Sequence, residues 1–265
     1  MVQSYRFVAK REILIYMADN KEYIFGTRAV LESIHAGKEI DKLLVQKGLF
    51  NDLTKELMKE AKAHHIPVSQ VPLEKLNRIT RKNHQGAIAF IAAVNYASLD
   101  NVINEVYQKG KEPFFLILDR VTDVRNFGAI ARTAECSGVD AIIIPSKGSA
   151  AINNDAMKTS AGALNYIPVC REDNLKTTIK FLQESGIQIV ACTEKTDSYI
   201  YNIDFKQPVA ILLGSEENGI SPEYLKMCDF RGKIPMTGNI ASLNVSVSAA
   251  IAIYEAVRQK GAESL

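Results

Sequence analysis

Residues 114–138 read FFLILDRVTDVRNFGAIARTAECSG, and the order of their parts sets the fold. Phe114 to Leu118 form an unbroken apolar run, the pattern of a strand covered on both faces of a sheet. A polar turn follows. The stretch Asn126 to Gly138 then carries apolar residues at helical spacing and ends on glycine, which predicts a helix and its stop. Immediately beyond it, AIIIP (141–145) predicts the next strand. Strand, helix, strand at this spacing is the unit of a parallel sheet.

The same alternation continues outward. LKTTIKFLQESG predicts a helix and IQIVACT a strand. PVAILLG is a further strand, and SPEYLKMC a helix opened by Ser221 with Pro222 just inside. GKIPM is short and extended, and LNVSVSAAIAIYEAVRQKG is the final helix. The expected class is α/β, with a mostly parallel, doubly wound sheet over residues 113–265. Ahead of it, helices at GTRAVLESIHAG and LTKELMKEAKAHH alternate with strands at IDKLLVQ, IPVSQV and GAIAFIAAV. They predict a smaller α/β domain over residues 17–98. Residues 99–112, LDNVINEVYQKGKE, are expected as a linker, read as a linker helix or as the last helix of the first domain. Residues 1–16 are expected to be an extension or a loose arm.

Composition bounds the function. The 265 residues are 47% hydrophobic with a net charge of +2, too small a charge to announce nucleic acid. The excess of basic groups lies towards the front and the second part is slightly acidic. The four cysteines form no C-x-x-C pair, so neither a zinc site nor a disulfide framework is expected, and reduced thiols in a cytoplasmic protein are the plain reading. No apolar run approaches the length of a membrane span, so no membrane is expected as a partner, and with no zinc-type cysteine spacing no metal is expected either.

Three segments carry candidate chemistry: DRVTDVRNFGAIARTAECSG (119–138), LLGSEENGIS (212–221) and IPMTGNIASLNVSVSAA (234–250). Each begins where an apolar strand ends, the rim at which open parallel sheets bind ligands. No dinucleotide-binding G-x-G-x-x-G, phosphate-cradling P-loop or G-x-S-x-G elbow is present. The four histidines all precede residue 100, so acid–base work in the second domain falls to other groups. Asn126, Arg132, Glu216, Ser242 and Asn244 stand out, and an arginine with such partners suits a phosphate-bearing substrate. Each also has a plainer reading. Arg132 can be a surface residue paired with Glu135, Glu216 a solvated loop acid, and Ser242 and Asn244 helix caps.

Together and in this order, the three segments resemble the three motifs of the SpoU/TrmH class of RNA 2′-O-ribose methyltransferases, within the SPOUT superfamily. YIFGTRAVLESIHAGKEIDKLLV and NHQGAIAFIAAV resemble the small L30e-like RNA-binding domain that precedes the catalytic domain in bacterial 23S ribosomal RNA guanosine-2′-O-methyltransferases. The resemblance implies a knotted catalytic domain, S-adenosyl-L-methionine as cofactor, RNA as substrate, with 23S rRNA ahead of tRNA, and a homodimer. It also implies roles. Arg132 would act on the ribose 2′-OH, with Asn126 beside it. Glu216 would orient the arginine and the RNA, and Ser242 and Asn244 would lie near the arginine and the target phosphate. Gly214, Ile234 and Leu243 would hold the cofactor, with Thr193 and Met236 lining the same pocket. Glu217 departs from the pattern, standing where many members have glycine.

Two mechanistic alternatives stay open in the sequence. Either Arg132, perturbed by its pocket, takes the proton of the 2′-OH, or it stabilises the forming alkoxide while phosphate or water takes the proton. Two other functions compete with ribosomal RNA methylation: a tRNA ribose methylase of the same class, and a factor that binds ribosomal RNA without turnover.

Overall fold

The computed structural model describes residues 23–240 and 242–261. The extension expected at residues 1–16 lies outside them. The chain divides into two compact units, Met1–Ala93 and Val94–Leu265.

The first unit holds strands β1 (Tyr23–Phe25), β2 (Ile40–Gln46), β3 (Val68–Val71) and β4 (Ala87–Ile91) in the order β1-β4-β2-β3. β4 runs antiparallel to β1 and β2, while β2 and β3 are parallel. Helices α1 (Thr27–His35), α2 (Asp52–Ala63) and α3 (Leu73–Ile79) connect them. Side chains alternate across the sheet. Leu43 and Val45 pack with Val30, Ile34, Leu57 and Ala61 on one face, while Leu44 packs with Val71, Leu76 and Ile88 on the other. Asn51 caps α2 by accepting from the Thr54 amide at 2.8 Å, as the polar residues at this helix start suggest.

The second unit is a seven-stranded sheet. Its strands are β5 (Tyr96–Ala97), β6 (Phe114–Leu118), β7 (Ala141–Pro145), β8 (Val169–Glu172), β9 (Gln188–Cys192), β10 (Val209–Leu213) and β11 (Phe230–Gly232). They lie in the order β11-β9-β10-β6-β7-β8-β5, and every neighbouring pair is parallel. The central strand β6 explains its own sequence. Phe114, Leu116 and Leu118 enter one buried cluster and Phe115 and Ile117 the other, so no position is left for a polar residue. Helices α4 (Leu99–Gln108), α5 (Val124–Cys136), α6 (Asn154–Thr159), α7 (Leu175–Glu184), α8 (Pro222–Leu225) and α9 (Val245–Lys260) complete the unit.

Several elements differ from the sequence reading: β1, β5, β8 and α6 have no counterpart in it, and the extended piece expected at GKIPM lies earlier, at β11. Residues 99–108, expected as a linker helix or the last helix of the first domain, do form a helix, α4, but it belongs to the second unit. Its Leu99, Val102, Ile103 and Val106 are buried with Phe115 and Ile117 in the core of the second unit. β8 has no strand pattern to announce it: VCRE carries only two buried residues and ends on charges. Its pairing with β7 holds it in the sheet despite that pattern.

The sheet order reverses between β6 and β10, which lie side by side although separated by most of the unit's sequence. Their carboxyl ends meet where the Asp119 amide donates to the Leu213 carbonyl at 2.8 Å. This is the switch point at which a doubly wound sheet opens a crevice.

Candidate active site

The helix that carries the first segment starts at Val124, two residues before the expected Asn126. Asp123 caps it, accepting from the Asn126 amide at 2.8 Å. The cap holds Asn126 in the first turn, above the end of β6.

After β10 the chain folds into a tight turn. The Gly219 amide donates to the Ser215 carbonyl at 2.9 Å, and the Asn218 amide to Ser215 Oγ at 3.2 Å. Gly214 faces the returning arm so closely that a Cβ there would overlap the backbone of Gly219 and Ile220. Only glycine leaves the turn closed. Glu216 lies at its tip, exposed.

The third segment supplies Asn244, the N-cap of α9. Its Oδ1 accepts from the Ser246 amide at 2.9 Å, and its Nδ2 is thereby turned away from the helix. That Nδ2 donates to Glu216 Oε1 and, at 3.2 Å, to Asn126 Oδ1. Asn126 Nδ2 donates to the same Glu216 oxygen at 3.0 Å, and the Val245 amide approaches it at 3.4 Å. Asn126, Glu216 and Asn244 therefore join the three segments at one point. The carboxylate sits at the amino end of α9, where the helix dipole favours negative charge. Asn244 is a helix cap and a member of this cluster at once, because an amide has an acceptor and a donor to spend separately.

Beside the cluster opens a cavity of about 360 Å³. Thr193, Gly214, Ile234, Met236 and Leu243 all line it, as does Ser242. Leu213, Ile234, Met236, Leu243 and Val245 make an apolar wall, and Glu194, Lys195, Glu216, Glu217 and Lys233 a charged rim. A pocket of this size and mixture suits a nucleoside-sized ligand held by its ring and oriented by a few polar groups. Glu194 and Lys195 were not singled out in the sequence, although they follow β9 at the same carboxyl rim. Cys192 also lines the cavity, and burial pushes its thiol up to about 12, so it stays protonated there. A second cavity of about 430 Å³ lies on the other side of the Glu216 turn, with Arg120, Thr122, Asp123, Asn126 and Gly148 in its wall.

Arg132 stands apart. It is exposed on α5, lines neither cavity, and among the described residues has no hydrogen bond or ion pair. Six residues along a helix rotate a side chain by about 120° from Asn126, so the two cannot share a face. The plain alternative, a pair with Glu135, is not formed either among the described residues. No group of His, Cys, Asp and Glu among the described residues is arranged to hold a metal ion.

Fold and site define a class, a parallel-sheet enzyme with a ligand crevice at the switch point, and comparison with known proteins narrows it. Residues 113–254 match the family model described as the SpoU rRNA methylase family. Residues 23–97 match the one described as RNA 2′-O ribose methyltransferase substrate binding. A TrmH family tRNA/rRNA methyltransferase of Bacillus subtilis strain 168, YacO, is 34% identical over 92% of this chain and 98% of its own length. One of Staphylococcus aureus strain COL is 40% identical over 89% of this chain and 96% of its own. The fold matches that of the SpoU methyltransferase AviRb of Streptomyces viridochromogenes, solved in complex with AdoMet. The TM-score is 0.58 and the identity 23%, over 96% of this chain and 98% of that one. The chain belongs to the SpoU rRNA methylase family and is an RNA methyltransferase.

Proposed function

We propose that the protein transfers the methyl group of S-adenosyl-L-methionine to a ribose 2′-oxygen of RNA. The observation that carries the reading is the meeting of Asn126, Glu216 and Asn244 beside a cavity lined by Thr193, Gly214, Ile234, Met236 and Leu243. The cavity fits the cofactor in kind. Its apolar wall suits the adenine ring, and the carboxylates of Glu194, Glu216 and Glu217 favour a cationic sulfonium. When bound, the cofactor supplies the electrophilic methyl carbon.

The chain's own residues do the rest by positioning. Asn126 and Asn244 hold the Glu216 carboxylate in place, and Glu216 and Ser242 face the incoming ribose and its phosphate. Arg132 lies away from this cluster within one chain, so its proposed action on the charge that grows on the 2′-oxygen rests on the proposed dimer, in which a second copy would bring its Arg132 to the site. Of the two routes for the proton of the 2′-OH, the proposal takes transfer to water or to an RNA phosphate.

Ribosomal RNA, specifically a guanosine of 23S rRNA, is the proposed substrate; the description of the family matched by residues 113–254, SpoU rRNA methylase, supports the ribosomal class, and residues 23–97 match an RNA methyltransferase substrate-binding unit. The relatives' names keep tRNA as the second reading. An RNA substrate of this kind means work in the cytoplasm. Incubation with labelled cofactor and separated RNA fractions tests the choice. Label entering ribosomal RNA is the expected result, and label in tRNA alone transfers the assignment to tRNA. No label in any RNA would leave only a non-catalytic RNA-binding factor.

The knot and the homodimer implied by the resemblance belong to the same proposal. On α9, Val247 and Tyr254 are 46% and 51% exposed, with Ala250 and Ile251 half-buried between them. Their spacing makes an apolar stripe on the solvent side of the helix, which supports a second copy as its cover. Light scattering should give the mass of a dimer for the natural protein and of a monomer for Tyr254→Glu. A monomeric natural protein would contradict this.

A further inference from the structure

Arg120 follows the buried Asp119 at the end of β6 and has a left-handed backbone, φ 58°. Arginine rarely adopts that conformation, so other contacts must hold it there. They are specific. Nε donates to Asp119 Oδ1 at 2.9 Å, Nη2 to Asp119 Oδ2 at 3.1 Å, and Nη2 again to the Gly219 carbonyl at 3.1 Å. Asp119, 1% exposed, also accepts from the Ser221 amide at 2.6 Å. The pair thus grips the returning arm of the Glu216 turn at two points, a carbonyl and an amide. Gly219 is the residue against which Gly214 packs with no room for a Cβ. On the other side the turn has a weaker contact, Lys195 Nζ to the Asn218 carbonyl at 3.4 Å.

We propose that Arg120 is a positioning residue. Clamped on Asp119, it fixes the arm 219–221 and so sets the wall of the donor cavity and the aim of Glu216. A bidentate guanidinium–carboxylate pair is suited to this because it fixes orientation as well as distance. The consequence for catalysis rests on the proposed function; the tie itself does not. Arg120 also lines the second cavity, so its chief rival role is a direct contact to RNA phosphate.

Arg120→Ala and Arg120→Lys test it with two readouts. The first is amide hydrogen exchange in the cofactor-free protein. In Arg120→Ala the amides of Gly219 and Ser221 should exchange at least about tenfold faster while the centres of β6 and β10 keep their protection. The second is kinetic. KM for S-adenosylmethionine should rise by about tenfold, with KM for RNA held within about twofold, and lysine should restore part of the loss. Unchanged exchange at Gly219 and Ser221 would overturn the proposal. So would loss of protection across the whole unit, which marks a merely structural role. A raised KM for RNA with an unchanged KM for the donor would assign Arg120 to RNA instead. Should the natural protein take no S-adenosylmethionine, the functional reading fails and the exchange result still decides the tie.

Discussion

Replacing Arg132 with alanine is expected to lower methyl transfer roughly 10²–10⁴-fold, the loss that follows removal of a group acting on charge or proton in the transition state. Affinity for S-adenosylmethionine should stay within about twofold, because a group acting in the transition state adds little to ground-state binding. The structure makes that separation sharp. Thr193, Gly214, Ile234, Met236 and Leu243 line the cavity and Arg132 does not. Calorimetric titration beside a transfer assay checks both halves. Cofactor binding lost with activity would mean that Arg132 holds the donor pocket together, and activity retained would return it to an ordinary surface arginine.

Gly214→Ala should fail in the opposite way. The added methyl would overlap the backbone of Gly219 and Ile220, which cannot rotate aside as a side chain would. The turn must open, at a cost of about 1–3 kcal/mol in stability as for other overpacked sites. The donor cavity loses its wall, so affinity for S-adenosylmethionine should fall by about a hundredfold or more, roughly 2.7 kcal/mol. Arg132→Ala thus spares binding and loses turnover, while Gly214→Ala loses binding first. Normal cofactor affinity in Gly214→Ala would show that the closed turn does not shape the pocket.

Much of this architecture is legible in the sequence. A strand buried on both faces must be apolar throughout, and Phe114 to Leu118 say so directly. The end of such a strand in a parallel sheet is a site by topology alone, so the polar segments after β6 and β10 converge without any contact being known, while the third follows the short, mostly exposed β11. What the sequence withholds depends on partners distant along the chain. α4 looks like a linker because its polar face is as prominent as its apolar one, and only the waiting groove beside Phe115 and Ile117 decides its place. β8 is too short and too polar at its end to announce a strand. Asn244 reads as a cap, correctly, but its second bond to Glu216 comes from 28 residues away. The Asp119–Arg120 pair reaches Gly219 from 99 residues away, and nothing in the local pattern marks it. Glu217, the departure from the family pattern, is exposed and lines both cavities without disturbing the closed turn.

The central claim is that the cluster of Asn126, Glu216 and Asn244 serves chemistry at a ribose oxygen. Nucleoside analysis of RNA methylated by the purified protein tests it most directly. The account predicts a single product, a nucleoside methylated on the 2′-oxygen, which blocks alkaline cleavage of the bond that follows it. A methyl group found on a base nitrogen or carbon, with the ribose untouched, would contradict it.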